Sequence, residues 1–311
     1  DGLKHYLDDK EREGVRSTTM RTTKLIITRF AESIDNPEIH TVTKGDILAY
    51  LNTLRSNDGV KKAKRKTWNN HRNEIASFFI WSGKKDTATN RPWTFQNPAE
   101  HVATHSLKRV AEERPSIATT PPERTLELFT HLMKHKGGNM VKYFALAYFA
   151  GIRPSNDEGE LVKLSEKESE CINLKTRTIF LSADMTKTKD DRSIKISDNL
   201  LAWLEAYKDL PIIPKNLKNE LLEIRSKFNL QHDETRHSFI SYHIALNRSI
   251  GDAALEAGNS ERMIKKHYLN HETAEDATKF FSIVPDMKTG EAIFEEKKEE
   301  VTEEEQKFKV I

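Results

Sequence analysis

Cysteine is nearly absent from this sequence, which has a single one, Cys171, among its 311 residues. One cysteine excludes an internal disulfide framework, and no grouping of Cys and His residues has the spacing of zinc ligands. We therefore expect no metal and no other cofactor. A signal-peptide pattern is also absent, and together these features predict a cytoplasmic location.

Long hydrophobic runs are absent as well. The longest, from Tyr143 to Ile152, has ten residues, whereas a membrane-spanning helix needs ~20. We therefore predict no contact with a membrane. Charged residues make up 32% of the sequence and hydrophobic residues 36%, which is typical of a helix-rich globular protein and not of a disordered chain. The length is sufficient for two domains.

Acidic residues are scarce in one basic stretch of the first domain, and there is none between Lys61 and Arg72. A helix predicted here ends at Gly83 and has an apolar stripe of Trp68, Ile75 and Phe79. Its other face could be an ordinary solvated surface, but such surfaces usually mix both signs. Lys and Arg neutralise phosphates and Asn binds adenine edges, so we predict DNA contacts here. The predicted contact residues are Lys61, Lys62, Lys64, Arg65, Asn69 and Arg72.

The charge and proline distribution divides the chain into four parts. We predict a helical domain at residues 1–110, a linker at 111–120, a second domain at 121–285 and a charged tail at 286–311. Residues 1–110 carry about +7 and residues 286–311 about −4, although the whole chain has only +2. The stretch from Asn97 to Glu123 contains four prolines and no strong periodicity, which is typical of an interdomain connection. A capping box of Thr43 and Asp46 predicts one helix start, and the prolines of TPPERTLELF predict another.

Only two segments of the second domain have the pattern of strands. They are CINLKTRTIFLS and RSIKIS, joined by DMTKTKDD, so we predict a mainly α fold with a small antiparallel β-sheet. Arg192 and Lys195 are interpreted as surface charges of the second strand. The helix of ETAEDATKFFSIVP ends with Phe280 and Phe281, which pack either on their own core or on a neighbouring subunit.

Four segments of the second domain resemble the tyrosine recombinase (phage integrase) family, and they occur in the order of that family. YFALAYFAGIRPS is similar to a helix followed by the T-G-x-R turn, which makes Arg153 the first catalytic arginine. TKTKDDRSIKI resembles the strand-turn-strand that contains the catalytic lysine, here Lys187. DETRHSF resembles the H-x-x-R-H-[ST]-F box, with Arg236 as the second arginine. EAGNSERMIKKHY looks like L-G-H-S-x(n)-Y, with Tyr268 nine residues after Asn259.

The resemblance covers residues 17–285 and implies both a fold and an activity. It implies an N-terminal helical core-binding (SAM-like) domain and a C-terminal mixed α/β catalytic domain that clamp duplex DNA. The implied activity is site-specific recombination through a 3′-phosphotyrosyl intermediate, by a homotetramer on paired sites, with accessory DNA-bending proteins as further partners. A catalytically inactive DNA-binding regulator is the alternative, and a type IB topoisomerase ranks third.

Phosphodiester cleavage explains why these residue types are needed. Attack on a phosphate builds negative charge on its oxygens, and the planar guanidinium of Arg153 or Arg236 can bind two of them. Tyr268 would be the nucleophile and Lys187 the general acid for the departing 5′ oxygen. Two of these residues could instead have a structural role: Tyr268 could be a packed tyrosine, and Arg153 could stabilise the C-terminus of its helix. Lys189, two residues after Lys187, is the alternative to Lys187.

Two positions depart from the family pattern, and both are histidines in that pattern. Asn259 is a mild replacement, because its amide still donates a hydrogen bond, although it could also be the N-cap of the next helix. Asp233 is poorly suited to accept a phenol proton, because the usual pKa of a carboxyl is ~3.9. Asp233 could pair with Arg236 or cap its helix, and His232 could accept the proton instead. The sequence leaves these three roles open.

Overall fold

The computed structural model describes residues 2–56, 59–84, 91–113, 118–154, 159–267 and 272–296. The chain folds into two compact units, Asp1–Pro115 and Ser116–Ile311. None of the described helices is both long enough and apolar enough to cross a membrane.

The regular elements of the first unit, in the part that the structure describes, are all helices. Its core is formed mainly by aromatic and branched side chains from the first four helices, among them Tyr6, Ile27, Phe30, Ile47 and Phe79. The predicted capping box is present, because Thr43 and Asp46 bond reciprocally at the start of the third helix. The helices are α1 (Gly2–Arg12), α2 (Ser17–Glu32), α3 (Lys44–Thr53), α4 (Arg65–Ser82) and α5 (Leu107–Glu112), with a 3-10 turn at Ile39–Thr41.

The segment after α4 differs from the interdomain connection that the sequence suggested. Ala99 and Val102 are 0% and 1% exposed and belong to the core of the first unit. The sequence did not predict this packing, because two apolar side chains in a segment without periodicity give no helix or strand signal. Their burial depends on contacts with α4 and the rest of the core. The first unit therefore extends through this segment to α5.

The second unit packs its helices around one that is buried on all sides. Every residue from Val141 to Phe149 is buried, including Lys142. Continuous burial explains the ten-residue apolar run, because a helix with neighbours on every side needs no polar face. The helices are α6 (Pro122–Lys134), α7 (Val141–Phe149), α8 (Glu160–Glu166), α9 (Glu168–Cys171), α10 (Asp198–Ala206), α11 (Leu217–Lys227), α12 (Glu234–Asn247), α13 (Ile250–Ala257), α14 (Glu261–His267) and α15 (Ala274–Phe280), with a 3-10 turn at His135–Gly138.

A three-stranded antiparallel sheet lies against this helical core, in the order β1-β2-β3. The strands are β1 (Ile172–Asn173), β2 (Thr178–Leu181) and β3 (Arg192–Lys195), which confirms both predicted strand segments. Ile179 pairs with Ile194, and both are fully buried. The predicted fold class, mainly α with a small antiparallel sheet, is therefore confirmed.

A second hairpin lies where the sequence suggested a charged tail. Strands β4 (Ile283–Asp286) and β5 (Glu291–Phe294) pair in antiparallel register. The tail boundary at residue 286 was therefore too early. The cause is the alternation inside β5, where Ala292 is buried between two exposed neighbours and its amide donates to Thr130 of α6. A strand of four residues in a highly charged segment was too short to be recognised in the sequence.

The end of α15 resolves an alternative that the sequence left open. Phe280 is fully buried in the core of the second unit and its ring lies 4.4 Å from that of Tyr242. Phe281 is partly buried at the same place. Phe280 therefore packs on its own core and is not available to a neighbouring subunit.

Candidate functional site

Arg236 lies in the first turn of α12 with its side chain almost completely buried, at 4% exposure. Its two terminal nitrogens donate to the carbonyl oxygens of Gly151, after α7, and Ala257, at the end of α13. Gly151 has a φ of +59°, and a Cβ there would approach the Phe239 ring to 2.3 Å. Only glycine therefore lets this turn pass under α12 and present its carbonyl to Arg236.

Arg153 follows two residues after that turn and reaches the same end of α13. One terminal nitrogen donates to the Glu160 carboxylate, and the other donates to Gly258 O at 2.8 Å and Asn259 Oδ1 at 3.0 Å. Its side chain is 20% exposed, so solvent reaches part of it. Arg153 and Arg236, which the sequence proposed as two phosphate-binding residues, are thus brought to successive carbonyls of one turn.

Arg192 is a third arginine of this group, and the prediction that it is a surface charge was wrong. Its side chain is 4% exposed, Nη2 lies 2.7 Å from Glu160 Oε2, and Nη1 donates to Ala257 O at 2.7 Å. The signal was available in the strand pattern, because Arg192 shares the phase of the buried Ile194 and Ile196. Lys195 has the opposite phase and is exposed, as predicted.

Glu160 joins these arginines and was not predicted as a site residue. It lies in the first turn of α8 and is 2% exposed. Burial by itself would raise the pKa of Glu160, but the charges of Arg192, Arg153 and Arg236 outweigh burial and lower it to about 2. Burial likewise acts to lower the pKa of Arg192, yet a guanidinium remains protonated because its ordinary pKa is above 12. Three cations therefore surround one anion, which leaves an excess of positive charge.

The turn that receives these arginines is the C-terminal end of α13. Carbonyl groups at a helix C-terminus carry partial negative charge, so they stabilise guanidinium groups. Gly258 has a φ of +60°, and a Cβ there would lie 2.3 Å from Arg192 Nη1. Asn259 accepts from Arg153, while α14 is capped by Ser260, whose Oγ accepts a hydrogen bond from the Met263 amide N–H at 3.3 Å. The N-cap interpretation of Asn259 was therefore wrong by one residue.

Asp233 and His232 form a pair at the start of α12. Asp233 occupies the N-cap position, but its side chain makes no capping hydrogen bond. Instead, Asp233 Oδ1 lies 3.0 Å from His232 Nδ1. That hydrogen bond raises the pKa of His232 against the effect of burial. For Asp233, burial acts to raise the pKa, but the bond from His232 and the charges of His237 and Arg236 lower it overall.

Lys187 and Tyr268 are the other two predicted catalytic residues. Lys187 lies exposed on the connection between β2 and β3, where Thr186 Oγ1 donates to Asp190 O at 2.9 Å. Tyr268 lies outside the described residues, directly after the end of α14 at His267. The roles of Lys187 and Tyr268 therefore stay predictions.

The predicted DNA-contact residues fall into two groups, one before α4 and one on it. Lys61, Lys62 and Lys64 are exposed. Arg65, Asn69 and Arg72 instead bind the segment that follows α4 in the first unit. Arg72 donates to Val102 O at 2.8 Å and Ala99 O at 2.6 Å.

Asn69 and Arg65 bind the same segment further along. Asn69 exchanges two hydrogen bonds with the backbone of His105, at 2.9 and 2.8 Å, and Arg65 lies 3.0 Å from Glu113. These three side chains thus hold residues 99–113 on α4. A contact of these three residues with DNA stays a prediction.

One group of side chains in the described part of the chain has the separations of metal ligands. It consists of His135, Glu220 and Glu223. Lys136 Nζ lies 2.7 Å from a Glu220 oxygen and 3.4 Å from a Glu223 oxygen. Because one ammonium group already contacts both carboxylates, the group is explained as an ion-pair cluster.

The solved structures that resemble this chain include integrases bound to DNA. A segment of lambda integrase, in a dimer bound to a COC′ core site, matches with a TM-score of 0.63 over 87% of this chain and 96% of that chain, at 14% identity. A segment of the Tn1549 transposon integrase, in complex with a circular intermediate DNA, matches with a TM-score of 0.58 over 89% of this chain and 97% of that chain, also at 14% identity. No protein-family model and no curated protein matches the sequence.

This chain has the fold of the tyrosine recombinases and integrases, as the four sequence segments predicted. The resemblance is confirmed at the level of the fold.

Proposed function

We propose that this chain is a site-specific DNA recombinase that cleaves and rejoins DNA through Tyr268. The observation that carries the proposal is the meeting of Arg153 and Arg236 at Gly258 and Ala257. The two arginines are 83 residues apart in the sequence. From this turn α14 leads directly to the residue before Tyr268.

The charge of the arginine group suits a phosphodiester. Three guanidinium groups and one carboxylate leave an excess of positive charge, and the partly exposed Arg153 is where an anion would meet it. Negative charge increases on the non-bridging oxygens during attack on phosphorus. Cations fixed in advance by buried hydrogen bonds stabilise that charge without having to reorganise.

The proposed reaction exchanges one ester for another. The phenolic oxygen of Tyr268 attacks phosphorus, the bond from phosphorus to the 5′ oxygen breaks, and a 3′-phosphotyrosyl ester forms. Lys187 gives a proton to the departing 5′ oxygen. The phenol has an ordinary pKa of ~10, so its ionisation at neutral pH costs roughly 4 kcal/mol unless a base takes the proton. His232 or water is that base.

The same ester conserves the energy of the broken bond. A 5′ hydroxyl of another strand attacks the phosphotyrosyl ester, Tyr268 leaves, and the strands are rejoined without a nucleotide. We propose that four copies on paired sites carry out this exchange, assisted by DNA-bending proteins. Lys61, Lys62 and Lys64 would bind phosphates of the flanking duplex.

Covalent capture tests the proposal. Wild-type protein is incubated with nicked suicide duplexes that tile the DNA on either side of its gene, and covalent complexes are isolated under denaturing conditions and sequenced. We expect one preferred site for the wild type and no complex for Tyr268→Phe, which should still bind the same DNA in a gel-shift assay. Absence of any wild-type complex on a fragment that the protein binds would contradict the proposal.

A DNA-binding regulator without catalytic activity is the second candidate. The observation that favours it is Asp233, which places a carboxylate next to the arginine group where the family pattern has a histidine. Site-specific binding without covalent capture is the result that this candidate predicts.

A further inference from the structure

Arg192 contacts both groups that hold Arg153 in place. Its Nη2 lies 2.7 Å from Glu160 Oε2, and its Nη1 donates to Ala257 O at 2.7 Å. Arg153 binds the neighbouring atoms, since its guanidinium contacts Glu160 Oε1 and donates to Gly258 O. The two arginines therefore share one carboxylate and one turn.

The Arg192 side chain packs closely against the glycine of this turn. A Cβ on Gly258 would lie 2.3 Å from Arg192 Nη1 and 3.2 Å from its Cδ. Gly258 also has a φ of +60°, a backbone conformation that favours glycine whatever its neighbours. Through its hydrogen bond to Ala257 O, Arg192 supports this turn. The same turn binds Arg153 through the Gly258 carbonyl oxygen and the Asn259 side-chain oxygen.

We propose that Arg192 is a positioning residue for cleavage, which sets both the place and the effective charge of Arg153 at the scissile phosphate. It does so by binding one Glu160 oxygen and by buttressing the Ala257–Gly258 turn. The inference rests on the proposed function, because it assigns a role in the same reaction. Glu160 Oε2 also accepts from the Arg153 backbone N–H at 3.2 Å. Without the Arg192 guanidinium, the Glu160 charge would act more fully on Arg153 and would neutralise more of the charge that the phosphate would meet.

Cleavage of a neutral phosphate analogue separates this role from general support of the fold. A methylphosphonate at the scissile position replaces one charged oxygen by a methyl group, so the reaction depends less on arginine charge. Arg192→Met and wild type are compared on the phosphodiester and on the methylphosphonate, with single-turnover formation of the covalent complex as the readout. Lys195→Met, on the exposed face of the same strand, is the matched control.

We expect Arg192→Met to cleave the phosphodiester about 100-fold more slowly than wild type, as is typical when a reacting group is misplaced by about 1 Å. On the methylphosphonate the same substitution should cost less than about 10-fold, because less of the reaction then depends on the charge of Arg153. Lys195→Met should match wild type on both substrates. Equal losses for Arg192→Met on the two substrates, or no loss on either, would overturn the proposal.

Arg192→Lys provides a second measurement if the methionine variant does not fold. A lysine retains the charge but cannot bind Glu160 and Ala257 together through a planar fork. We expect a smaller loss on the phosphodiester, again reduced on the methylphosphonate, and a rate equal to wild type would overturn the proposal. A wild-type protein that binds its site but never forms the covalent complex would instead overturn the proposed function, and this inference with it.

Discussion

At the scale of single residues, the site is organised by Glu160, a carboxylate that the sequence motifs did not identify. Arg153 and Arg192 both bind it, and its pKa is lowered to about 2. A lowered pKa means that the charged form is stabilised by folding. The stabilisation is complete above the unfolded pKa of 4.5 and is lost as the pH falls towards 2.

Glu160→Gln should therefore destabilise the second unit by about 3 kcal/mol at neutral pH, from a shift of this size. The difference from wild type should shrink as the pH falls from about 4.5 towards 2. Hydrogen exchange of the buried amides of α7 measures it. Glu291→Gln removes an exposed pair with Lys134 and should cost less than about 1 kcal/mol. A difference between Glu160→Gln and wild type that is unchanged at low pH would contradict the assignment.

The pair of Asp233 and His232 gives a second prediction at this scale. If His232 accepts the Tyr268 proton, only its neutral form is active, so the cleavage rate rises as the pH passes its raised pKa. Asp233→Asn removes the hydrogen bond that contributes most to raising the pKa of His232, so the rise should move to lower pH. A pH–rate profile of single-turnover cleavage checks this. An identical profile for the variant would exclude His232 as the base.

At the scale of elements, the hairpin of β4 and β5 shows that a few buried residues can fold the start of a charge-rich segment. Ala292 is 5% exposed and its neighbour Ile293 is 42% exposed. The backbone of the hairpin is also tied to the core, since Trp203 donates its indole N–H to Ile283 O at 2.8 Å. Residues 283–294 are therefore part of the second unit.

Two neighbouring substitutions test that assignment. Ala292→Asp places a carboxylate in the core and should destabilise the second unit by about 3 kcal/mol. Ile293→Asp makes the same kind of change on the exposed face and should cost less than about 1 kcal/mol. Both are measured by hydrogen exchange of the second unit. Equal effects would show that β5 does not pack as described.

At the scale of the whole molecule, the uneven charge distribution predicts which residues make the proposed DNA binding depend on salt concentration. Lys61, Lys62 and Lys64 are exposed, and no acidic residue lies between Lys61 and Arg72 in the sequence. Because each neutralised phosphate contributes about 0.9 to the slope of log affinity against log salt, charges at the interface should change that slope.

The triple variant Lys61→Ala, Lys62→Ala and Lys64→Ala should weaken DNA binding and reduce the salt slope by about 2 to 3. A matched triple variant of Lys208, Lys215 and Lys218, which are also exposed, removes the same net charge elsewhere. We expect it to leave the slope nearly unchanged. Titrations at several salt concentrations measure both. Equal slopes for the two triple variants would mean that only the net charge matters.

The sequence by itself determined the features that depend on near neighbours. The capping box of Thr43 and Asp46, the strands around Ile179 and Ile194, and the four ordered segments follow from local spacing, which a short window of sequence contains. The family resemblance of those segments also predicted the fold correctly.

Only the tertiary structure decided which polar and charged side chains bind other parts of the same unit. Arg72 and Asn69 have the spacing of a DNA-binding face, yet they hold the segment of Ala99 and Val102 on α4. Arg192 follows a charged connection, yet it is buried against Glu160 and Ala257. In each case the partner lies about 30 to 65 residues away in the sequence. Whether a guanidinium faces water, a carbonyl or a carboxylate depends on those distant partners, which residue type and periodicity do not specify.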